Sequence, residues 1–203
     1  MIKLVIFDLD GVLVDACEWH RIALNEALQE ICNYQISLED HYNIFNGSPT
    51  KVKLQKLAEA NIISRLSINK IYDLKQTKTI KLIETLGKPS IDKINMISTL
   101  KSEGINVACC TNSIRETAEL MLRGIGIFDM LDMVLTNEDV KEPKPDPEGY
   151  NSVINHFGLG IQQVVIVEDS PKGIAAALAT GAKVYKVSGP NQVNINLFRG
   201  DML

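Results

Sequence analysis

No apolar run in the sequence reaches the roughly 20 residues that a bilayer-spanning helix requires, so nothing in it suggests a membrane protein. The opening stretch, MIKLVIFDLDG, meets acidic residues within ten positions and has neither a long apolar core nor a small-residue cleavage site. It does not read as a signal peptide, and a cytoplasmic location is the expectation. An excess of positive charge is missing too: 21 Lys and Arg stand against 25 Asp and Glu, a formal net charge of −4. That balance draws the chain neither to nucleic acid nor to an anionic membrane surface, so neither is expected as a partner. The four cysteines (Cys17, Cys32, Cys109, Cys110) lack CxxC spacing. Cys109 and Cys110 close an apolar run, where cysteine behaves as a small buried hydrophobe. Internal repeats and low-complexity segments are absent as well. What remains is 203 residues, 45% hydrophobic and 23% charged. This is an ordinary globular composition with length for one sizeable core plus a small accessory domain, and a monomer is expected.

Ile2 to Phe7 is a short apolar run broken only by Lys3 and ended by Asp and Gly, the pattern of a buried parallel strand. Ile105–Cys110, Met133–Thr136 and Val164–Val167 look the same, and Val184–Val187 is a weaker fifth. Helix signals lie between them. Ser113 with Glu116 reads as a capping box for a helix stopping near Gly124. Asp146-Pro147 and Ser170-Pro171 each place a cap residue before a proline, with stops near Gly158 and Gly181. Alternating strands and helices predict an α/β fold, a parallel sheet with helices on both faces, and right-handed crossovers put every strand-to-helix loop on one sheet edge. The interval from Asp15 to Gly87 has no strand-like run and reads as several helices. Asp15 with Glu18 is a possible capping box, and Ser37, Thr50 and Ser67 are possible later caps. A helical block inserted after the first strand is a candidate lid.

Four polar clusters fall at the ends of the predicted strands, where ligands bind in open parallel sheets. Asp8-Leu9-Asp10-Gly11 sets two carboxylates just past a buried strand, although alone it reads equally as a strand-ending turn. Thr111-Asn112-Ser113 brings hydroxyls to a helix N-terminus, which is a phosphate cradle or a plain cap. Lys144 lies in Glu142-Pro143-Lys144-Pro145-Asp146-Pro147, where flanking prolines fix one positive charge in place. Glu168-Asp169-Ser170 ends another strand with two acids, which repel unless a cation lies between them. A hard divalent ion with oxygen ligands resolves the repulsion, and magnesium is the ready candidate.

In this order the clusters resemble the four motifs of the haloacid dehalogenase superfamily: Asp8–Asp10 with Gly11-Val12, Thr111-Asn112-Ser113, Lys144 in Lys-Pro-Asp-Pro, and Glu168-Asp169. The likeness covers the whole length and is closest to the β-phosphoglucomutase-like subgroup, which has a small helical cap after the first strand. Asp8 through Asp15, Glu168-Asp169-Ser170, and Gly173-Ile174 through Gly181-Ala182 carry that subgroup likeness.

The resemblance implies a Rossmann-like core from residues 1–14 and 88–203 and a helical cap from 15–87. It implies a Mg2+-dependent phosphatase for a small phosphorylated metabolite, a sugar phosphate or similar monoester. Asp8 would attack phosphorus and form an aspartyl-phosphate. Asp10 would protonate the leaving oxygen and then activate water. Thr111 and Lys144 would neutralise the phosphoryl oxygens, with Asn112 beside them. Asp8, the Asp10 carbonyl and Asp169 would hold the metal, with Glu168 in support. In the cap, Gly47, Thr50, Lys51 and His20 would meet the substrate.

Within that superfamily, Asp10 argues against a dehalogenase, which needs no proton for a halide. Lys51 and Lys53 bring to mind the cap lysine of phosphonatases, but their context does not otherwise suggest Schiff-base chemistry. A sugar-phosphate mutase is the rival, since residues 47–56 resemble its cap loop. There, however, Thr50 stands where the mutase has an arginine, and Ile114 where it has a lysine, so hydrolysis is expected. A receiver-type phospho-acceptor switch would need neither Asp10 nor a lid. Trp19 and His20 could face the cleft or simply pack and solvate the first cap helix. The lysines from Lys70 to Lys93 read as a solvated helix face.

Overall fold

The computed structural model describes residues 1–45 and 48–200. Its five strands, Leu4–Phe7 (β1), Asn106–Cys110 (β2), Met133–Leu135 (β3), Val164–Glu168 (β4) and Lys183–Lys186 (β5), form one parallel sheet in the order β3-β2-β1-β4-β5. Between β1 and β2 run Cys17–Cys32 (α1), the single turn Leu38–Asp40 (α2), Thr50–Glu59 (α3), Ile68–Leu86 (α4) and Ile91–Ser102 (α5). Arg115–Gly124 (α6), Glu148–Phe157 (α7) and Pro171–Ala179 (α8) follow the later strands.

Side chains alternate faces along a strand, so the near-continuous apolar runs of β1, β2 and β4 must be covered on both sides. Val5, Phe7, Val107, Cys109, Val165 and Val167 pack on one face with Met96 and Leu100 of α5 and Met121 and Leu122 of α6. Leu4, Ile6, Ala108, Cys110 and Ile166 pack on the other with Tyr150 and Val153 of α7 and Ala176 and Ala177 of α8. All four β1 side chains are fully buried, each contributing about 1.5–3 kcal/mol. A third cluster joins Leu24 and Leu28 of α1, Leu54 and Leu57 of α3, and Ile71 of α4, so the helical insert has a core of its own. Farther along α4, Ile83 packs in the first sheet cluster, as does the partly buried Trp19 of α1. These contacts tie the insert to the sheet.

Register then sets the functional edge. Phe7 pairs with Cys109 on one side and with Val167 on the other. The chain leaves β1, β2 and β4 at the same level, delivering Asp8, Thr111 and Asp169 together.

Several expected caps are not formed. Ser113 does not cap α6, whose cap position is Ile114 without a side-chain bond, because the Ser113 hydroxyl is used elsewhere. The Asp15–Glu18 box is absent: α1 begins after Ala16, and Glu18 pairs with Arg21 at 2.5 Å. Thr50 is the first residue of α3 rather than its cap, and Ser67 lies in helical geometry without capping α4. Asp146 is displaced by one: Pro147 holds the cap position of α7, and Asp146 Oδ1 accepts from Glu148 N at 2.9 Å. Ser37 and Ser170 cap as expected, Ser170 accepting from Gly173 N at 3.1 Å. The lysines of 70–93 are not uniformly solvated, since Lys75 and Lys93 are buried. Lys93 Nζ donates to the Pro190 and Val193 carbonyls, at 2.6 and 2.5 Å.

Candidate active site

Asp8 follows the last residue of β1, and its amide donates to Val167 O at 3.0 Å, which fixes it to the sheet edge. The chain then turns back at Gly11, whose φ of +89° suits only glycine, and the Gly11 amide donates to Val14 O at 2.7 Å. A Cβ there would also collide with the Asp169 carboxylate. Gly11 therefore brings the β1 and β4 loops close enough for their acids to share one site.

Lys144 is the buried cation of that site. Its Nζ donates to Asp8 Oδ1 at 2.6 Å, Glu168 Oε1 at 2.7 Å and Cys110 O at 2.8 Å, using all three of its protons. Asn112 positions it: Oδ1 accepts from the Lys144 amide at 3.1 Å and Nδ2 donates to the Lys144 carbonyl at 3.2 Å. Asn112, expected at the substrate, lines the cavity, and both ends of its amide also hold the lysine loop.

Glu168 is saturated. Oε1 accepts from Lys144 and from Tyr150 OH at 2.6 Å, and Oε2 from the amides of Asp169 and Ser170 at 3.0 and 3.2 Å. Its neighbour differs: Asp169 Oδ1 is buried without a hydrogen-bond partner among the described residues. Oxygens of Asp8, Glu168 and Asp169 lie within 4.8 Å of one another. Burial, and then the Glu168 charge, push the Asp8 carboxyl well up. Burial, Glu168 and Asp10 bring Asp169 up to about 7. Against its own burial, Lys144 is held protonated by Asp8 and Glu168. One ammonium among three acids leaves the cluster short of positive charge. An orphaned buried carboxylate oxygen within this oxygen-only set fits a hard divalent ion. Asp8 and Asp169 are the residues placed to hold it; Glu168 has no acceptor capacity left and serves Lys144.

Asp10 has different company. Ser113 Oγ donates to its Oδ2 at 2.7 Å, and His20 Nε2 lies 3.0 Å from its Oδ1. Lys75 Nζ lies 3.1 Å from His20 Nδ1, and a proton on Nε2 is directed at Asp10. Burial alone would raise the Asp10 carboxyl; the charge and hydrogen bond of His20, with Ser113, bring it below the ordinary value. Thr111 is buried, and its Oγ1 accepts from the Ser113 amide at 3.0 Å.

Asp8, Asp10, Thr111, Ser113 and Lys144 line a cavity of about 360 Å³ bounded on the other side by the helical insert. Thr50, Lys51, His20 and Ile114 all line it. Lys51 Nζ also lies 5.1 Å from the centre of the Tyr72 ring. Gly47 lies outside the described residues. Lys75 and the partners of Glu168 were not anticipated. The signal for Lys75 was there: it interrupts the buried stripe Ile71, Lys75, Thr79, Ile83 of α4, and a lysine on a buried stripe needs a polar destination.

Residues 5–187 match the profile of the haloacid dehalogenase-like hydrolase family. The chain belongs to that family. It is an enzyme of hydrolase type, with the Rossmann-like core and helical cap of such proteins. Among relatives in the family, protein CbbY of Rhodobacter capsulatus is 27% identical over 191 residues, spanning 90% of this chain and 84% of its own. The phosphoglycolate phosphatase of Rhodospirillum rubrum is 27% identical over 202 residues, spanning 93% and 80%. The crystal structure of β-phosphoglucomutase from Clostridium difficile superposes with a TM-score of 0.84 at 20% identity, covering 100% of this chain and 97% of that one. At that identity the superposition speaks for the fold alone.

Proposed function

We propose that the protein is a magnesium-dependent phosphatase that hydrolyses a small phosphorylated metabolite through an aspartyl-phosphate on Asp8. The observation that carries this reading is the unlike environment of two carboxylates two residues apart. Asp8 is ion-paired to Lys144, while Asp10 is hydrogen-bonded to Ser113 and His20. Carboxylates held in different surroundings take different roles. The core of the enzyme is residues 1–14 and 88–203, and residues 15–87 are its cap.

In this mechanism an Asp8 oxygen bonds to phosphorus as the ester oxygen departs, and Asp10 supplies the proton that oxygen needs. A water then attacks the aspartyl-phosphate, gives its proton back to Asp10, and frees phosphate and Asp8. With two donors on it Asp10 is a carboxylate at rest, the form that activates water. The negative charge of an incoming phosphate raises its proton affinity for the first half. Lys144 and Thr111 offset charge on the phosphoryl oxygens. Magnesium, held by Asp8, Asp169 and the Asp10 carbonyl, would supply the remaining positive charge. Thr50 and Ile114 line the cavity at the positions where the mutase has an arginine and a lysine, which supports hydrolysis over isomer interconversion.

The test is phosphate release from p-nitrophenyl phosphate and from a panel of phosphorylated metabolites. Turnover with magnesium is expected, with loss on chelation and in Asp8→Asn. Undiminished turnover by Asp8→Asn, or none by the wild type across the panel, would sink the proposal. Magnesium should also raise the melting temperature of the wild type but not of Asp169→Asn.

A further inference from the structure

Helix α6 begins without a side-chain cap at its own cap position, Ile114. Its first amide, Arg115 N, is one of the donors that a helix N-terminus leaves without a partner inside the helix. A serine just before a helix ordinarily takes such a donor on its hydroxyl, but Ser113 Oγ is turned to Asp10, at 2.7 Å. The amide is satisfied from another loop: Glu138, 23 residues further on and just past β3, accepts from Arg115 N through Oε2 at 2.7 Å. A carboxylate there also suits the positive end of the helix dipole. Glu138 fills the place at α6 that Ser113 leaves open.

The rest of this loop fixes the same segment. Asn137 Nδ2 donates to Asn112 O at 2.8 Å, and Asn137 N to Ser113 O at 3.2 Å. Arg115 Nη2 donates to both oxygens of Asp139, at 2.7 and 2.6 Å. That ion pair is solvent-exposed and contributes little by itself. The bonds from Asn137 set the backbone on either side of the serine, and the Glu138 bond occupies the amide that competes for its hydroxyl.

We propose that Glu138 is a positioning residue: by capping α6 from the β3–α7 loop, it keeps the Ser113 hydroxyl on Asp10, the group that gives the leaving oxygen its proton. Without the glutamate, Arg115 N becomes an orphan donor and the serine turns back to the helix end as its local cap. Asp10 then keeps the His20 bond but loses the second hold on its carboxyl, and with it the orientation that reaches the leaving oxygen. The role rests on the phosphatase reading for the identity of the proton donor. Glu138 also lines the cavity, so direct contact with substrate is the competing role.

Two measurements test it, on variants of a residue exposed enough for its replacement to leave the core intact. The first compares kcat/KM for ethyl phosphate, whose leaving oxygen needs a proton, with p-nitrophenyl phosphate, whose leaving group departs as an anion. Glu138→Ala should lose roughly ten-fold more on ethyl phosphate than on p-nitrophenyl phosphate, a part of the roughly hundred-fold or more that a placed acid contributes. Glu138→Gln keeps an acceptor oxygen for the amide and should restore most of that loss. Made on top of Ser113→Ala, the alanine change should cost less than about two-fold further on ethyl phosphate, since no hydroxyl remains to be redirected. Equal losses on the two substrates, or an undiminished loss in the Ser113→Ala background, overturn the positioning role. The second measurement reads the serine without turnover. Crystal structures should show Ser113 Oγ on Asp10 in the wild type and at the α6 amides in Glu138→Ala. A serine still on Asp10 in Glu138→Ala overturns the proposal. A serine that moves, in a protein whose wild type turns over no phosphate ester, keeps the hold of Glu138 on Ser113 and overturns the phosphatase.

Discussion

Lys144 Nζ sits 2.6 Å from Asp8 Oδ1 and reaches Glu168 Oε1 at 2.7 Å with the same ammonium, so one buried cation separates two buried acids. Removing it leaves both uncompensated, and breaking such a pair costs about 3–5 kcal/mol. Lys144→Met should lose roughly that much unfolding free energy in urea titration, along with phosphate release. Lys144→Arg should rescue neither, because a planar guanidinium cannot reproduce three bonds radiating from one nitrogen to Asp8, Glu168 and Cys110 O. Wild-type stability in Lys144→Met would show that the two acids do not need the lysine.

Gly173 gives a prediction opposite in sign to helix propensity. It lies within α8, where exchanging glycine for alanine ordinarily stabilises by about 0.5–1 kcal/mol. Here the new methyl would collide with the Glu168 carboxylate, which holds Lys144, Tyr150 OH and two amides. Gly173→Ala should therefore lower the melting temperature and displace Lys144 from Asp8. Thermal unfolding, with phosphate release from p-nitrophenyl phosphate, checks both. An unchanged or higher melting temperature would mean that the β4 loop yields freely.

Ser113 was expected to cap a helix, and its hydroxyl instead donates to Asp10. Losing an N-cap costs about 1 kcal/mol of stability. Ser113→Ala should instead show its effect in catalysis, with kcat falling and the acidic limb of the pH–rate profile moving to higher pH. The sign follows from the bond: Ser113 stabilises the Asp10 carboxylate, so without it Asp10 holds its proton to higher pH. An unmoved acidic limb with a loss of stability would restore the plain capping role.

How much of this was legible beforehand follows from chain distance. The strands, the shared sheet edge and the four polar clusters announce themselves through local signals: buried runs, prolines, and acids beside a glycine. The partners of those clusters do not. Ser113 reads as a cap because a serine two residues before a helix satisfies a local rule, and only folding brings Asp10 to it from 103 residues away. Lys75 meets His20 across 55 residues and reads as one solvated lysine among several. Asn112 lines the cavity as its motif neighbours suggest, but its two bonds to the Lys144 backbone span 32 residues and have no local signal. Identity of the reactive groups is local; their partners are a property of the fold.

The last prediction concerns Lys53 of α3, which is 7% exposed and lines the cavity. Burial lowers it from 10.5 to about 8, with Lys172 lowering it slightly further and Asp10 and Cys17 acting the other way. Below about pH 8 the lysine is protonated both folded and unfolded, and the full cost of the buried charge is present. Between there and 10.5 the unfolded chain binds a proton that the folded chain does not, so stability rises with pH. Above that range both states are neutral and the cost is gone. At about 1.4 kcal/mol per pKa unit, the cost is about 3 kcal/mol at neutral pH. Lys53→Met should therefore be more stable than the wild type at pH 7 by an amount of that order, with the gap closing towards pH 10. Titration of Asp10, Cys17, Lys172, Lys75, His20 and His41 is common to both proteins and cancels to first order in the difference. Urea unfolding of the pair across pH 7 to 10 makes the measurement. A gap that is absent at pH 7, or that widens with pH, would show that Lys53 already has its anion within the protein.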